Sequence, residues 1–333
     1  MLDRLRRLFD PYIILMIVTV GIAAVEPARG RGAAVAGVAA DAGIIFLFFL
    51  YGARLSPSAA FRGLRHWRLH LTVLLSTFVV FPALGMALGA IAPTALPPAL
   101  ATGVLFLCIL PSTVQSSIAF TSIARGNVPA ALCAASASNL IGVFLTPVLA
   151  GWLLHTQGAQ LSFGVFRDIL LQLLAPFLAG QLQRRWIGDW VTQHKTVLGF
   201  ADRGSILLII YVAFSKGMTA HVWGQIGLRD LVVLIAILLG LLTLVLFVTG
   251  TFAQRLLGLS VEDEIVVQFC GSKKSLASGL PIASVLFAGP QLSLIVLPLM
   301  LFHQLQLIVC AVLARRYAER PEVADSNIVE AQA

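Results

Sequence analysis

Charge is what this sequence has least of. Only 11% of its 333 residues are Asp, Glu, Lys or Arg, while 59% are hydrophobic and the mean hydropathy is +0.93. Soluble globular chains carry about 25% charged residues, so a water-soluble domain is excluded and a polytopic membrane protein is expected. The net charge of +8 does not indicate a nucleic-acid surface, because the basic residues fall in short runs between apolar segments. Cysteine is scarce too. Cys108, Cys133, Cys270 and Cys310 all lie in apolar segments, without metal-site spacing, and read as small core residues. Hydrolase signatures are missing: neither GxSxG nor His-Glu-x-x-His is present, and His303 is the one histidine well inside an apolar segment. An intramembrane enzyme is therefore not expected, and no cofactor is implied.

What is present is a series of apolar windows near the roughly 20 residues that a span requires. Ten are expected, at about 11–25, 33–51, 69–91, 96–124, 128–154, 168–183, 205–220, 228–252, 265–288 and 291–313. The N-terminal stretch has the composition of a signal peptide but is followed by more apolar segments, so it reads as the first span. Basic residues cluster on alternate connections. Arg4, Arg6 and Arg7, then Arg54, Arg62, Arg65 and Arg68, Arg125, the group Arg184, Arg185, Lys195 and Arg203, then Arg255, and finally Arg315, Arg316 and Arg320 fall on one side. Arg29, Arg31, Arg167, Lys216 and Arg229 fall on the other. The positive-inside rule then places both termini in the cytoplasm of an inner-membrane protein. The polar tail over 320–333 is expected to be disordered.

Two spans are interrupted. In the fourth, Pro111 is followed by Ser112, Thr113, Gln115, Ser116 and Ser117. Proline removes a helix hydrogen bond, and the hydroxyls and amide after it can satisfy the freed backbone. In the ninth, Gly271, Ser272, Lys273, Lys274, Ser275 and Gly279 stand together. The breaks are about 160 residues apart, and the first and sixth spans begin at a similar separation. Five spans per half insert in opposite senses, which predicts an inverted repeat: 1–160 as the first half and 161–319 as the second, with a transport site near the midplane.

Lys273 lies nine residues after Glu264, roughly 14 Å at helical rise and about the centre of a 30 Å hydrocarbon layer. An ammonium there costs on the order of 3 kcal/mol. Local unwinding, with one or both lysines facing a wet cavity, is the expected solution. Asp41 is the one acidic residue well inside another span, but a Lys–Asp41 ion pair is not indicated. Such a cation can attract an anionic substrate, replace a bound metal cation, or carry a coupling proton; the residues leave these alternatives open.

The motif "FCGSKKSLASGLPIASVLF", with "LPSTVQSS" and "SASNLIGVFLTPVL", resembles the SBF-like branch of the bile acid:sodium symporter superfamily. The resemblance implies ten transmembrane helices, crossed broken helices four and nine, a core domain (spans three to five and eight to ten) and a panel domain (spans one, two, six and seven). It also implies secondary transport of a small organic anion by alternating access. Sodium-binding members place a Ser-Asn pair where Ser116 and Ser117 stand, hydroxyls where Ala130 and Ala134 stand, and a Glu and a Gln where Gln268 and Ser272 stand. An amide and a small polar residue become Lys273 and Lys274, and a His-Asn pair near the substrate cavity becomes His303 and Gln304. Asn139, with Ser136 and Ser138, is a polar cluster in the fifth span suited to lining the cavity or to packing helices. The departures put sodium coupling in question, with a lysine in place of one sodium and a proton as the alternative coupling ion. A competing class is a non-transporting membrane regulator of calcium homeostasis. A sister family exporting arsenite uses a fourth-span cysteine; Cys108 is there, but the surrounding motif does not match. Membrane lipid and a small anionic solute are the expected partners.

Overall fold

A computed structural model describes residues 11–54, 66–155, 167, 170–251, 253, 257–287 and 289–320. Asp3, Arg4, Arg6, Arg7, Arg62, Arg65, Asp168, Phe252, Arg255, Ala288, the expected boundary near residue 160 and the tail beyond Arg320 lie outside the described residues. Among the described residues the chain is all-helical. In chain order the helices are α1 (Pro11–Val25), α2 (Gly30–Arg54), α3 (Trp67–Leu75), a π-helical segment (Ser76–Val80), α4 (Phe81–Ala95), α5 (Pro98–Cys108), α6 (Gln115–Ile123) and α7 (Val128–His155). A second π segment (Leu170–Leu174) leads into α8 (Ala175–Gln193), α9 (Lys195–Thr219), a 3-10 turn (Val222–Gln225), α10 (Leu228–Thr251), α11 (Val261–Gly271), α12 (Leu276–Leu286) and α13 (Leu292–Ala318).

Among the described residues, six helical stretches are long and apolar enough to cross a membrane: Gly30–Arg54, Trp67–Gly89, Val128–Leu154, Lys195–Thr219, Leu228–Thr251 and Leu292–Ala318. The two interrupted windows each resolve into a pair of short helices, α5 with α6 and α11 with α12. Local chemistry sets these ends. Pro98 opens α5, where a missing N–H costs nothing. Ser260 caps α11 by accepting from the Asp263 N–H, and Glu262, Asp263 and Glu264 fill the positive first turn. Ser275 caps α12 by accepting from the Ser278 N–H.

The helix of the sixth window is longer than the apolar window itself. It does not stop near Gln183 but continues as α8 to Gln193, and α9 starts at Lys195. Arg184, Arg185 and Lys195 are helical rather than loop residues, because no proline interrupts 176 onward until well past the polar surface is reached. Arg185 lies 3.7 Å from the ring centroid of exposed Trp186, the cation–aromatic pairing common at a membrane interface.

The helices pack as two groups. α1, α2, α8 and α9 pack on one another, and α3–α7 with α10–α13 form the second group. α9 joins them through α12 and α13, and Tyr51 of α2 donates to the Ala277 carbonyl of α12 at 3.4 Å. The tightest seam is α2 against α8. A Cβ on Gly52 would lie 2.0 Å from the Phe177 carbonyl oxygen, and one on Gly180 would lie 2.0 Å from that of Phe49. The backbones touch there, as small residues allow between membrane helices. Gly180→Ala is expected to lower the thermal midpoint of the detergent-purified protein by an overpacking penalty of about 1–3 kcal/mol. Gly240→Ala, on an exposed face of α10 with nothing within 4 Å, should leave it unchanged; equal midpoints for both variants would contradict the seam.

Candidate functional site

The two helix breaks face each other, and their backbone groups exchange partners. Five consecutive carbonyls, starting with the last residue of α5, lose regular helix donors, and each finds another. Cys108 and Leu110 accept from Lys274 Nζ at 2.9 and 2.7 Å. Ile109 accepts from the Thr146 hydroxyl at 2.9 Å, Pro111 from the Ser275 N–H at 2.8 Å, and Ser112 from Asn139 Nδ2 at 2.6 Å. The Ser112 N–H, which a continuous helix would direct to Cys108, goes to Ser138 Oγ at 3.1 Å. In the second break Gly271 would ordinarily receive Ser275 N–H; Ser76 Oγ donates to it instead at 2.8 Å. Membrane interiors tolerate non-helical backbone only when neighbouring protein satisfies it in this way.

Lys274 is completely buried and saturated. Its third N–H donates to the Thr77 carbonyl at 2.9 Å, and the ammonium sits 4.0 Å from the Phe81 ring centroid. Thr77 is available for a sequence reason. In the π segment the Phe81 N–H bonds back to Ser76, and residue 82, next in line for Thr77, is a proline without an N–H. The cation also lies at the C-terminal, negative end of α5. Gln306 clamps the lysine backbone: its Oε1 accepts from Lys274 N–H at 2.8 Å, and its Nε2 donates to Lys274 C=O at 3.0 Å. Gln306 Nε2 also lies 2.9 Å from His303 Nδ1.

Lys273 points into the other half of the crossing. It too is completely buried. Its Nζ donates to the Ser116 carbonyl at 3.0 Å and lies 4.0 and 5.1 Å from the Phe120 and Phe269 ring centroids. Ser116 is in the first turn of α6, the positive end of a helix dipole. Two aromatic faces, worth about 2 kcal/mol to a desolvated cation, therefore do much of what three carbonyls do for Lys274.

The expectation of an ammonium facing a wet cavity is not met in this structure. Both lysines are enclosed because the breaks they lie in supply unpaired carbonyls that need donors. Asp41 is exposed and partners neither. Ser112, Thr113, Ser116, Ser117, Asn139, Ser272, Lys273, Lys274 and Ser275 do come together. Thr113 Oγ1 bonds Ser116 Oγ and Ser117 Oγ, Ser117 donates to the Phe269 carbonyl, and Ser272 to that of Gln268. Asn139 Oδ1 accepts from Ser278 Oγ at 2.8 Å. Ser112 Oγ is buried without a hydrogen-bond partner among the described residues. Gln115 is exposed, and Gln304 makes none of these contacts. Gln268 lies a turn before the break, bonded to the Leu246 carbonyl and to Tyr317. Ala130 and Ala134 pack in an apolar cluster with Val266, Val267 and Cys270. Thr77, Thr146, Ser76 and Gln306 were not evident from sequence reasoning; Pro82 signals the first, and the i, i+3 spacing of Gln306 from His303 signals the last.

These geometries rank two substitutions. Lys274→Met leaves three buried carbonyls without a donor, at about 1–3 kcal/mol each. Lys273→Met removes one hydrogen bond to the part-buried Ser116 carbonyl, which stays within α6, and its thioether keeps contact with Phe120 and Phe269. Thermal unfolding of the purified variants should show a severe loss of stability for Lys274→Met and a mild one for Lys273→Met. The reverse order would contradict the carbonyl cage.

Comparison with known proteins agrees with this architecture. The model of the SBF-like CPA transporter family matches residues 10–319. The chain is 51% identical over 331 residues to protein PA2026 of Pseudomonas aeruginosa, a name that assigns no activity, with 99% of each chain covered. It is 47% identical over 319 residues to YfeH of Escherichia coli, a protein named provisionally as a symporter, with 96% of each covered. It is 28% identical over 323 residues to the sodium/bile acid cotransporter 7 of Xenopus tropicalis, covering 94% of this chain and 92% of the relative. The matched family is one of transporters rather than enzymes. An all-helical, multi-pass membrane protein whose helix breaks are stitched together by buried lysines, the chain belongs to the SBF-like CPA transporter family.

Proposed function

We propose that the protein is a secondary active transporter of a small organic anion, working by alternating access in the inner membrane, with the Lys274 ammonium fixed in place of a bound sodium. The observation that carries this is the cage of three carbonyl oxygens around Lys274 Nζ, the coordination a desolvated cation requires. The apolar packing of Ala130 and Ala134 supports the same reading, since it removes hydroxyl ligands from the position where sodium would need them. Lys273 has one hydrogen-bond acceptor among the described residues, so it is the cation assigned to the anionic group of the substrate. Ser112, Thr113, Ser116, Ser117, Asn139, Ser275 and His303 contribute the surrounding polar groups.

In this reading the described helices and breaks make ten spans in two inverted halves, 1–160 and 161–319, with both termini cytoplasmic. α1, α2, α8 and α9 form the panel that moves against the remaining core, and membrane lipid surrounds both. The test is thermal stabilisation of purified protein by a library of small carboxylates, sulfates and phosphates, with and without sodium, followed by uptake of the stabilising anion into proteoliposomes. One anion class should stabilise the wild type in sodium-free buffer, and Lys273→Ala should abolish the shift. Stabilisation that requires sodium and survives Lys273→Ala would overturn the role given to the lysines. Stabilisation without saturable uptake would favour a membrane regulator that does not transport.

A further inference from the structure

One ridge of α13 changes character towards the end of the helix. Ile308, Val312 and Arg316 follow one another at i, i+4 spacing, with Arg320 just past the helix end, so the three helical residues share a face. Ile308 and Val312 are 44% and 48% exposed, and Arg316 is exposed beyond them. α13 has 27 residues, about 40 Å at helical rise against a hydrocarbon layer of about 30 Å. Its apolar ridge therefore lies at the depth of acyl chains, and its basic last turn reaches the headgroups. At that end a groove of ≈ 320 Å³ is lined by Val261, Leu313, Arg316, Tyr317 and Arg320, within the ~300–1,000 Å³ range of small-ligand sites.

The two arginines of the groove differ. Arg320 is engaged with protein: it donates to the Ala124 and Arg125 carbonyls, each at 2.8 Å, and pairs with Glu262 at 2.9 Å. Arg316 has no hydrogen-bond or ion-pair partner among the described residues. The acids at the start of α11 do not neutralise it, because Glu262 is held by Arg320 and Asp263 accepts from Asn127 at 2.8 Å. Tyr317 is fixed by its hydroxyl, which lies 2.8 Å from Glu264 Oε1 and 2.6 Å from Gln268 Oε1. The groove thus combines apolar lining from Val261 and Leu313 with one uncommitted guanidinium. We propose that it binds an anionic phospholipid, whose phosphate accepts two hydrogen bonds from the planar fork of Arg316 and whose acyl chain runs along Val312 and Ile308. Charge complementarity selects the headgroup: a phosphodiester without its own ammonium leaves a net negative charge for Arg316 to meet, whereas a choline headgroup carries its own cation. The site does not depend on the transporter reading. It does adjoin the crossing, since Arg320 ties the end of α6 to the start of α11 from the same groove wall.

The experiment is native mass spectrometry of the full chain in detergent, titrated separately with phosphatidylglycerol, phosphatidylcholine and glycerol phosphate. The wild type should retain phosphatidylglycerol in preference to phosphatidylcholine. Arg316→Gln should weaken that binding about fivefold, the effect of one arginine at an anionic membrane surface. Arg315→Gln, exposed on the same last turn but outside the groove lining, should leave it unchanged. Arg316→Lys keeps the charge and should keep the preference for phosphatidylglycerol. Because Arg316 has no partner to lose, Arg316→Gln is expected to fold with the wild-type thermal midpoint; should it not, Arg316→Lys and Arg315→Gln still report on the site. Equal affinity for the two lipids, or a preference that survives Arg316→Gln, would overturn the proposal. Equal losses from Arg315→Gln and Arg316→Gln would reduce it to general surface charge. Glycerol phosphate bound through Arg316 as tightly as the lipid would assign the groove to a soluble anion instead.

Discussion

The fold depends on one ammonium group meeting three carbonyls. Breaking a helix inside a membrane orphans backbone acceptors, and each one left alone costs about 1–3 kcal/mol. Placing a lysine at that depth costs on the order of 3 kcal/mol on insertion scales. Lys274 answers both problems together, because its donors reach Thr77 on the π segment and Cys108 and Leu110 at the broken end of α5. The charge that looks out of place in the sequence is what allows the π segment, the end of α5 and the start of α12 to meet without water.

The adjacent lysine shows how position decides chemistry. Lys273 and Lys274 are neighbours in the chain but diverge across the break, one to the C-terminal end of α5 and the other to the N-terminal turn of α6. The first environment is electrostatically favourable and supplies oxygen ligands. The second is unfavourable to a cation along the helix axis and compensates with the faces of Phe120 and Phe269. A pair of identical side chains is thereby divided into one that holds the structure and one with hydrogen-bonding capacity to spare.

Much of this was legible before the structure. Pro111 and the run Gly271–Ser275 announce both breaks. The resemblance to the transporter family was carried by the same residues. What remained hidden were isolated polar residues such as Thr146, Ser76 and Gln306, each set in a long apolar helix. Their role depends on which helix they face, and that is fixed by tertiary packing rather than by spacing. Glu264 was legible only as the start of a span; its contact with Tyr317 joins residues 53 positions apart. The helix of the sixth window runs on to Gln193, ten residues past the onset of polarity, because polarity marks where a helix leaves the membrane, not where it stops being a helix.

The seam between α2 and α8 has a mechanical consequence. Where Gly52 and Gly180 bring two backbones into contact, there are no side chains whose rotamers could shift to absorb a displacement. The two helices therefore behave as a single stiff strut. α1 is fastened to α9 more loosely, by the Tyr211 hydroxyl on the Glu26 carbonyl at 3.0 Å and the Tyr12 hydroxyl on that of Arg203 at 3.4 Å. Relative sliding in this half of the molecule is thus easier to accommodate between α1 and α9 than across the glycine seam.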